Sequence, residues 1–495
     1  MVLFEQLALG NLTALGVCFV LLVLVNSIQW KKPSKLDVPL ADEGIPLLGH
    51  TISFLQDACS LCFKMKDKYG SIYALKIGRT RFNILTDTVS GINFFYRNEK
   101  TFIAEYFHHR FNKYVALWSD KFNSELEFRE LLRSNSSKIL KSANVMEDLL
   151  NRFRTRYTEQ LDDLLPDYKE QEIDLYTFCK STMFNSSCNA VFGRDFPCEA
   201  MSKDYARFEQ SISCFIKGYP RLIDRDGFQA RENVHKYLKT YLADPTAVSR
   251  ASQLVISHMN SFEQKPEVND LDNKASYFMG ILFASASNVV PAAFWIVAHT
   301  LATPGMKEKV RAIIAENYDA DSDTFNWEPL FANENLKSLI SETLRLHSNI
   351  TNARLVSEDT EMVIGPNKEK KVVKKGEILL LVSDLVHWDP AVYPEPDKWI
   401  AERFLPENAG KLILAEKEWK TYVPWGGGLH MCSGRFFAMN EMVVQLTLML
   451  WYFDITLHEE IPRAYIKERF GLGVAHPTKE MKATIVRREK SALRA

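Results

Sequence analysis

Apolar residues recur along this chain at three different spacings, and each spacing predicts a different kind of element. The first is continuous. From Leu7 to Val25 the sequence LALGNLTALGVCFVLLVLV carries no charge over 19 residues, and as a helix it would rise about 28 Å, close to the thickness of a bilayer core. Glu5 precedes the run, and Lys31, Lys32 and Lys35 follow it. That charge order places the rest of the chain on the cytoplasmic side of a single span. Residues 1–30 are therefore expected to be a membrane anchor in contact with lipid. Pro33, Pro39, Pro46 and Gly49 forbid a continuous helix next, so residues 31–50 read as an extended connector.

Beyond the connector, residues 125–165, 200–262, 275–302 and 333–347 carry apolar side chains at helical spacing with polar faces between them, as amphipathic helices do. Shorter stretches rich in β-branched and aromatic residues predict strands: 71–77 and 81–86 as a hairpin with Gly78 near the turn, then 360–364, 371–373 and 378–382. The expected architecture is mainly α with a small β region. No Gly/Ser-rich linker divides residues 51–495, which read as one domain.

Of 495 residues, 46% are hydrophobic and 12% aromatic, enough for a large core and too many for a disordered chain. The 61 Lys+Arg and 62 Asp+Glu nearly cancel, so no global field points to nucleic acid as a partner. Eight cysteines are scattered without the paired spacing of a zinc site. Seven of them read as thiols in a reducing compartment.

The eighth differs. In Tyr422-Val-Pro-Trp-Gly-Gly-Gly-Leu-His-Met-Cys-Ser-Gly-Arg-Phe-Phe-Ala-Met-Asn-Glu441, three glycines precede Cys432, and an amphipathic helix is predicted from about Gly434 to Tyr452. A cysteine at a helix start faces unpaired N–H groups, which favour thiolate, and glycines at 426–428 would let backbone approach a flat ligand.

This segment resembles the cysteine-ligand loop of the cytochrome P450 superfamily, aromatic-x-x-Gly-x-basic-x-Cys-x-Gly, as Trp425, Gly428, His430, Cys432 and Gly434. The family more often has Phe and Arg where this chain has Trp425 and His430. Glu342-Thr-Leu-Arg345 resembles the family's Glu-x-x-Arg, and Trp399-Ile-Ala-Glu-Arg403-Phe404 the segment that adds a second arginine. The resemblance implies a buried, structural Glu342–Arg345–Arg403 network and places Arg354 on a haem propionate. Glu130/Arg133 and Glu308/Arg311 fit the same four-residue pattern but read as helix-surface pairs. The family's Trp-x-x-x-Arg has no counterpart here, since Trp118 lacks the arginine; Arg129 and Arg133 are candidates.

In the central helix, Ala284-Ser-Ala-Ser287-Asn288-Val-Val-Pro291-Ala-Ala-Phe-Trp295 has Ser287 and Asn288 where the family usually has an acid and a threonine. The block resembles the branch containing cholesterol 7α-hydroxylase, sterol 12α-hydroxylase and prostacyclin synthase. Pro291 has no N–H for the carbonyl of Ser287, so the helix should open there, with Ser287 and Asn288 as candidates for handling protons. Phe102 to Tyr114 is a candidate wall of the substrate pocket, with core packing the equal alternative.

The resemblance implies the cytochrome P450 fold after an N-terminal transmembrane helix. It further implies a haem b cofactor whose iron takes the Cys432 thiolate as axial ligand, the arrangement that favours O–O cleavage. The implied activity is hydroxylation of a lipophilic substrate (sterol, steroid, terpenoid or related lipid) at the endoplasmic reticulum membrane. Electrons would come from an NADPH-cytochrome reductase-type donor, docked at basic residues such as Lys417, Lys420 and Arg435. Two alternatives stay open: an isomerase that rearranges a lipid peroxide without a reductase, and a haem sensor without turnover.

Overall fold

The computed structural model describes residues 34–46, 48–87, 90–165, 168–409, 421–461 and 470–489. The expected anchor over 1–30 and the expected docking lysines Lys417 and Lys420 lie outside the described residues. Seven helices position the site: α1 (Leu126–Ile139), α2 (Ala143–Leu164), α3 (Leu175–Phe192), α4 (Leu271–Ala286), α5 (Val289–Ala302), α6 (Glu334–His347) and α7 (Arg435–Tyr452). At the centre is α5, which is buried at every residue from Val289 to Thr300 and packs against α3, α6 and α7. The run from Leu271 to Ala302 is long and apolar enough to cross a membrane, but its most apolar stretch is 72% buried. Here it is the core helix of the fold.

The helical stretches break where local chemistry demands. The 125–165 pattern is two helices, because Ser142 takes an extended conformation at the start of α2. The 200–262 pattern is five. Gly218 in the left-handed region and Pro220 end one helix, and Asp244, whose carboxylate caps Thr246 and Ala247, starts another at Pro245; both are punctuation that the sequence carried. The central run opens at Ser287–Asn288, between α4 and α5, one turn before Pro291 as its missing N–H requires. The α3 helix was not anticipated, and burial explains why: 13 of its 18 residues are buried, among them the polar Thr182, Ser186, Ser187 and Asn189, so polar and apolar residues do not sort onto opposite faces.

The main sheet gathers β1 (Ile72–Ile77), β2 (Thr80–Leu85), β3 (Ser348–Val356), β4 (Ile378–Val382) and β5 (Leu472–Val474) in the order β1-β2-β4-β3-β5. Gly78, with φ +59°, turns the β1–β2 hairpin. All five residues of β4 are buried, as befits a strand covered on both faces; it runs parallel to β2 and antiparallel to β3. The predicted strands at 360–364 and 371–373 pair as Thr360–Ile364 with Glu369–Val373. The connector touches both sheets: Ala41 N–H donates to Ala74 O of β1 at 2.8 Å, and Asp37 bridges to Val372 of the separate two-stranded sheet.

Among the described residues the cysteines other than Cys432 are free thiols, five of them buried. Arg311 corrects one expectation. It makes no ion pair with Glu308; its guanidinium donates to Leu450 O, Phe453 O and Asp454 Oδ1 at 2.7–2.9 Å, tying down the carbonyl end of α7, while Glu308 is exposed beside Lys307.

Candidate active site

The α7 helix begins at Gly434, and the loop that precedes it folds back on itself through Cys432 N–H, which donates to Trp425 O at 3.0 Å. Cys432 is thereby presented to an internal cavity with about 1350 Å³ of empty space, mouth included. The same cavity is lined by Ile281, Ala284, Ser285, Asn288 and Ala292, spaced as one face of a helix. That same spacing removes a predicted residue. Ser287 is 1% exposed and does not line the cavity, because a helical neighbour of Asn288 points about 100° away. Ser285, whose hydroxyl back-bonds to Ile281 O and Leu282 O, is the serine that faces the space. None of Phe102 to Tyr114 lines it; Phe111 packs on Phe283 of α4 with ring centres 5.3 Å apart.

Asn288 is held from behind. Its Oδ1 accepts from Val474 N–H of β5 at 3.0 Å, which fixes the carboxamide's orientation and leaves Nδ2 as its donor. A Cβ at Gly473, where φ is +125°, would fall 1.9 Å from that oxygen, so glycine is what admits the bond.

Trp425, Gly426, His430, Cys432 and Gly434 line the cavity and Gly428 does not. Gly428 has φ +64°, and a Cβ there would meet Glu99 Oε1 at 1.9 Å, the oxygen that accepts Leu429 N–H at 2.7 Å. Its smallness therefore admits the Glu99 clamp and not a ligand. Arg133, paired with Glu130, also donates to Leu429 O, and Arg129 lies over the Trp118 ring and donates to Asn123 O. Gly428→Ala should destabilise the protein by roughly 1–3 kcal/mol through the left-handed backbone alone. Adding Glu99→Ala should relieve the clash without recovering that backbone cost, which thermal unfolding of both variants measures.

Burial raises the Cys432 thiol above its ordinary pKa, while the N–H groups of Gly434 and Arg435 and the Arg435 charge pull the other way. The helix start alone thus does not lower the thiol's pKa; coordination to a metal ion would, by displacing the proton. His430 is pushed down by burial and then by the Arg354 charge, and its ring meets His108 edge-on at 4.9 Å.

Arg354, on β3, is 4% exposed, and its Nε and Nη2 have no partner among the described residues; Nη1 donates to Ala353 O, and the guanidinium lies 5.1 Å from the Phe95 ring centre. A buried cation with unmet donors calls for an anion. A Cβ on Gly434 would meet no atom within 4 Å although the residue lines the cavity, so there is open space against the start of α7. A thiol on the cavity wall, open space beside it and, two residues along β3 from cavity-lining Asn352, a buried guanidinium with unmet donors fit a haem with carboxylate side chains.

Beneath the loop, Glu342 accepts from Arg345 at 2.8 and 2.9 Å, from Arg403 Nε at 3.0 Å to both oxygens and from Ile400 N–H at 3.0 Å. The arginines' remaining donors go to the carbonyls of His387, Pro394, Glu395, Pro396 and Lys398. His387 was not singled out from the sequence. Burial pushes its pKa to about 3, and its neutral Nε2 accepts Val423 N–H at 3.1 Å, joining the network to the cysteine loop. Glu441, also missed, lines the cavity with its carboxyl pushed up to about 8 by burial.

The sequence model of the family described as Cytochrome P450 matches residues 39–485. The chain belongs to that family. This P450 is 23% identical over 498 residues to "Cytochrome P450 7B1" of Mus musculus, covering 94% of this chain and 95% of the relative. It is 24% identical to "Cytochrome P450 7A1" of Sus scrofa, over 95% and 97% of the two chains. A third relative, "7-alpha-hydroxycholest-4-en-3-one 12-alpha-hydroxylase" of Homo sapiens, is also 24% identical, over 93% and 95%. Among solved structures, "Retinoic acid bound cyanobacterial CYP120A1" superposes with a TM-score of 0.71 at 17% identity, covering 92% of this chain and all of that one; that likeness shows the fold. This P450 is accordingly a haem-thiolate oxidoreductase of the sterol-hydroxylase branch.

Proposed function

We propose that this P450 is a monooxygenase that hydroxylates a sterol or related lipid, with Cys432 as the axial ligand of its haem. The observation that carries the reading is the cavity itself, lined both by Cys432 and by Asn288, at the break between α4 and α5. Bound there, the haem supplies oxygen activation, with thiolate ligation favouring O–O cleavage. The relatives named for sterol hydroxylation support the substrate class, and the apolar side chains of Leu140, Leu149, Val191, Ile281, Val289 and Val474 suit a lipophilic guest. Arg354 and His430 would hold the haem carboxylates. Electrons come from an NADPH-cytochrome reductase-type partner, Arg435 being the described member of its docking face, and the protein acts at the endoplasmic reticulum membrane.

In this reading Asn288 offers its Nδ2 donor at the break and holds water that brings protons to the oxygen side of the cavity. Turnover of a sterol panel with reductase and NADPH, with products identified by mass spectrometry, tests the activity. Asn288→Ala should keep haem and substrate but lower product per NADPH by roughly 10-fold, about 1.4 kcal/mol in the partition between product and wasted electrons. Asn288→Thr should restore much of it. Conversion of a lipid endoperoxide without reductase, together with no NADPH-dependent product from any sterol, would replace this reading with the isomerase.

A further inference from the structure

A second cavity lies behind one wall of the first. Strand alternation divides that wall: Ser348 and Ile350 of β3 and Val474 of β5 line the haem cavity, whereas their neighbours Asn349 and Ala475 line the other. The second cavity has about 1590 Å³ of empty space, open solvent at its mouth included. Two indoles line it. Trp388 is 36% exposed, and Trp399 is held in place, its ring stacked on His299 at 5.1 Å and its Nε1 donating to Thr343 Oγ1 at 2.9 Å.

The charges around this space do not balance. Asp384, Asp397 and Glu460 line it against Lys398, which is already paired with Glu395. Asp384 is 7% exposed, and its Oδ2 accepts from Asn349 Nδ2 at 2.6 Å and from Cys59 Sγ at 3.7 Å. Among the described residues its Oδ1 meets only Ser383 Oγ, at 3.5 Å, the outer limit of a hydrogen bond. Lys66, on the adjoining helix Thr51–Tyr69, pairs with Asp389 instead and donates to Leu385 O. Burial pushes the Asp384 carboxyl up to about 7. A buried carboxylate with an oxygen so weakly met calls for a cation, and indole faces attract the same kind of guest.

The strands that separate the two cavities also connect them. Asn349 donates to Asp384 and, through Oδ1, accepts Gly471 N–H at 2.6 Å. β5 starts at the next residue, and its Val474 N–H donates to Asn288 Oδ1 at 3.0 Å. Ala475 N–H, one residue on, donates to His347 O at 2.8 Å. A guest drawn to Asp384 therefore acts on the strand that orients Asn288.

We infer that this second cavity binds an organic ammonium ion with an aromatic or aliphatic body, its charge on Asp384 and its apolar groups against Trp388, and that its occupancy changes affinity in the haem cavity through β5. The site is separate from the space given to the haem and the lipid, and it does not depend on which lipid is hydroxylated.

The test uses the haem-loaded full chain and equilibrium dialysis of benzyltrimethylammonium, a quaternary ion that cannot ligate iron, with the haem cavity filled by the iron ligand 4-phenylimidazole. Binding should persist, and should be at least 10-fold tighter than that of neopentylbenzene, the uncharged isostere. Asp384→Asn, which keeps an acceptor for Asn349 and removes the charge, should weaken the ammonium at least 10-fold. Trp388→Leu, at a part-exposed position, should weaken it at least 3-fold with haem content unchanged, and keeps the test open if the asparagine variant folds poorly. Saturating ammonium should shift the spectrally measured affinity for 4-phenylimidazole by at least 3-fold, and by linkage 4-phenylimidazole should shift the ammonium affinity by the same factor. Complete displacement of the ammonium by 4-phenylimidazole would place it in the haem cavity and overturn the inference. So would no binding by wild type, equal affinity for the isostere, or unchanged affinity in both variants. Ammonium binding that leaves the 4-phenylimidazole affinity unaltered overturns the coupling. The monooxygenase reading fails separately, by the absence of a thiolate-type ferrous–carbonyl spectrum in wild type.

Discussion

Cys432→Ala should give a folded protein that lacks the red-shifted Soret band of a thiolate-ligated ferrous–carbonyl haem and retains little haem. The side chain is exposed to the cavity and belongs to no hydrophobic cluster, so its removal should change the stability of the haem-free protein by no more than about 0.5 kcal/mol. The loop around it is held by other atoms: Cys432 N–H on Trp425 O, Glu99 on Leu429 N–H and Arg133 on Leu429 O. Loss of the band without loss of fold would therefore report on ligation alone. The measurement is a reduced-plus-carbon-monoxide spectrum beside a haem assay and a melting curve. An unchanged spectrum in the variant would sink the assignment of the ligand.

Glu342→Ala should be far more damaging to the fold, by about 3–5 kcal/mol, because it strands two buried guanidinium groups. Arg345, 0% exposed, and Arg403, 7% exposed, share this carboxylate, and no other carboxylate is paired with either among the described residues. Arg345→Lys should not rescue the fold, since one ammonium cannot reach Glu342 and the carbonyls of His387, Pro396 and Lys398 together. The comparison is Glu308→Ala, which fits the same four-residue pattern but removes an exposed carboxylate and should cost under about 1 kcal/mol. Denaturant unfolding and haem occupancy of the variants decide it. Equal losses at the two glutamates would mean that burial of the shared carboxylate is not what makes the network matter. Because Val423 N–H rests on His387, whose carbonyl Arg345 holds, weakening the network should also loosen the approach to Cys432, and haem should be lost before the chain unfolds.

Local signals in the sequence carried most of the site. The glycine-flanked Cys432 and the proline after Asn288 each express their chemistry within a few residues, whereas Glu342 and Arg345 were selected from three equal spacings by the family resemblance; Cys432 and Asn288 line one cavity. What the sequence hid was long-range. Gly428 looked like a ligand-facing glycine, but its neighbour is Glu99, more than 300 residues earlier. Ser287 and Asn288 looked like a pair, although the helical rotation between neighbours separates them; counting by helical spacing would have selected Ser285. Arg311 read as half of a surface pair, and only the fold shows it gripping the end of α7. β3, which carries Asn352 and Arg354, was not predicted because Ser348-Asn-Ile-Thr-Asn-Ala-Arg-Leu-Val356 mixes small polar residues into its pattern.

The seam between β2 and β4 imposes an order on folding. Asn83 and Ile378 meet there across 295 residues of chain, and β2 cannot complete its pairing until β4 exists. At roughly 5–20 residues per second, the hairpin of β1 and β2 would wait on the order of 15–60 s during synthesis with one edge open. Apolar edge strands left open are templates for misassembly, so the nascent chain spends this interval needing a chaperone or a surface to cover that edge. A ribosome-bound chain halted before residue 378 should expose the hairpin to protease, and one halted well beyond residue 382 should protect it.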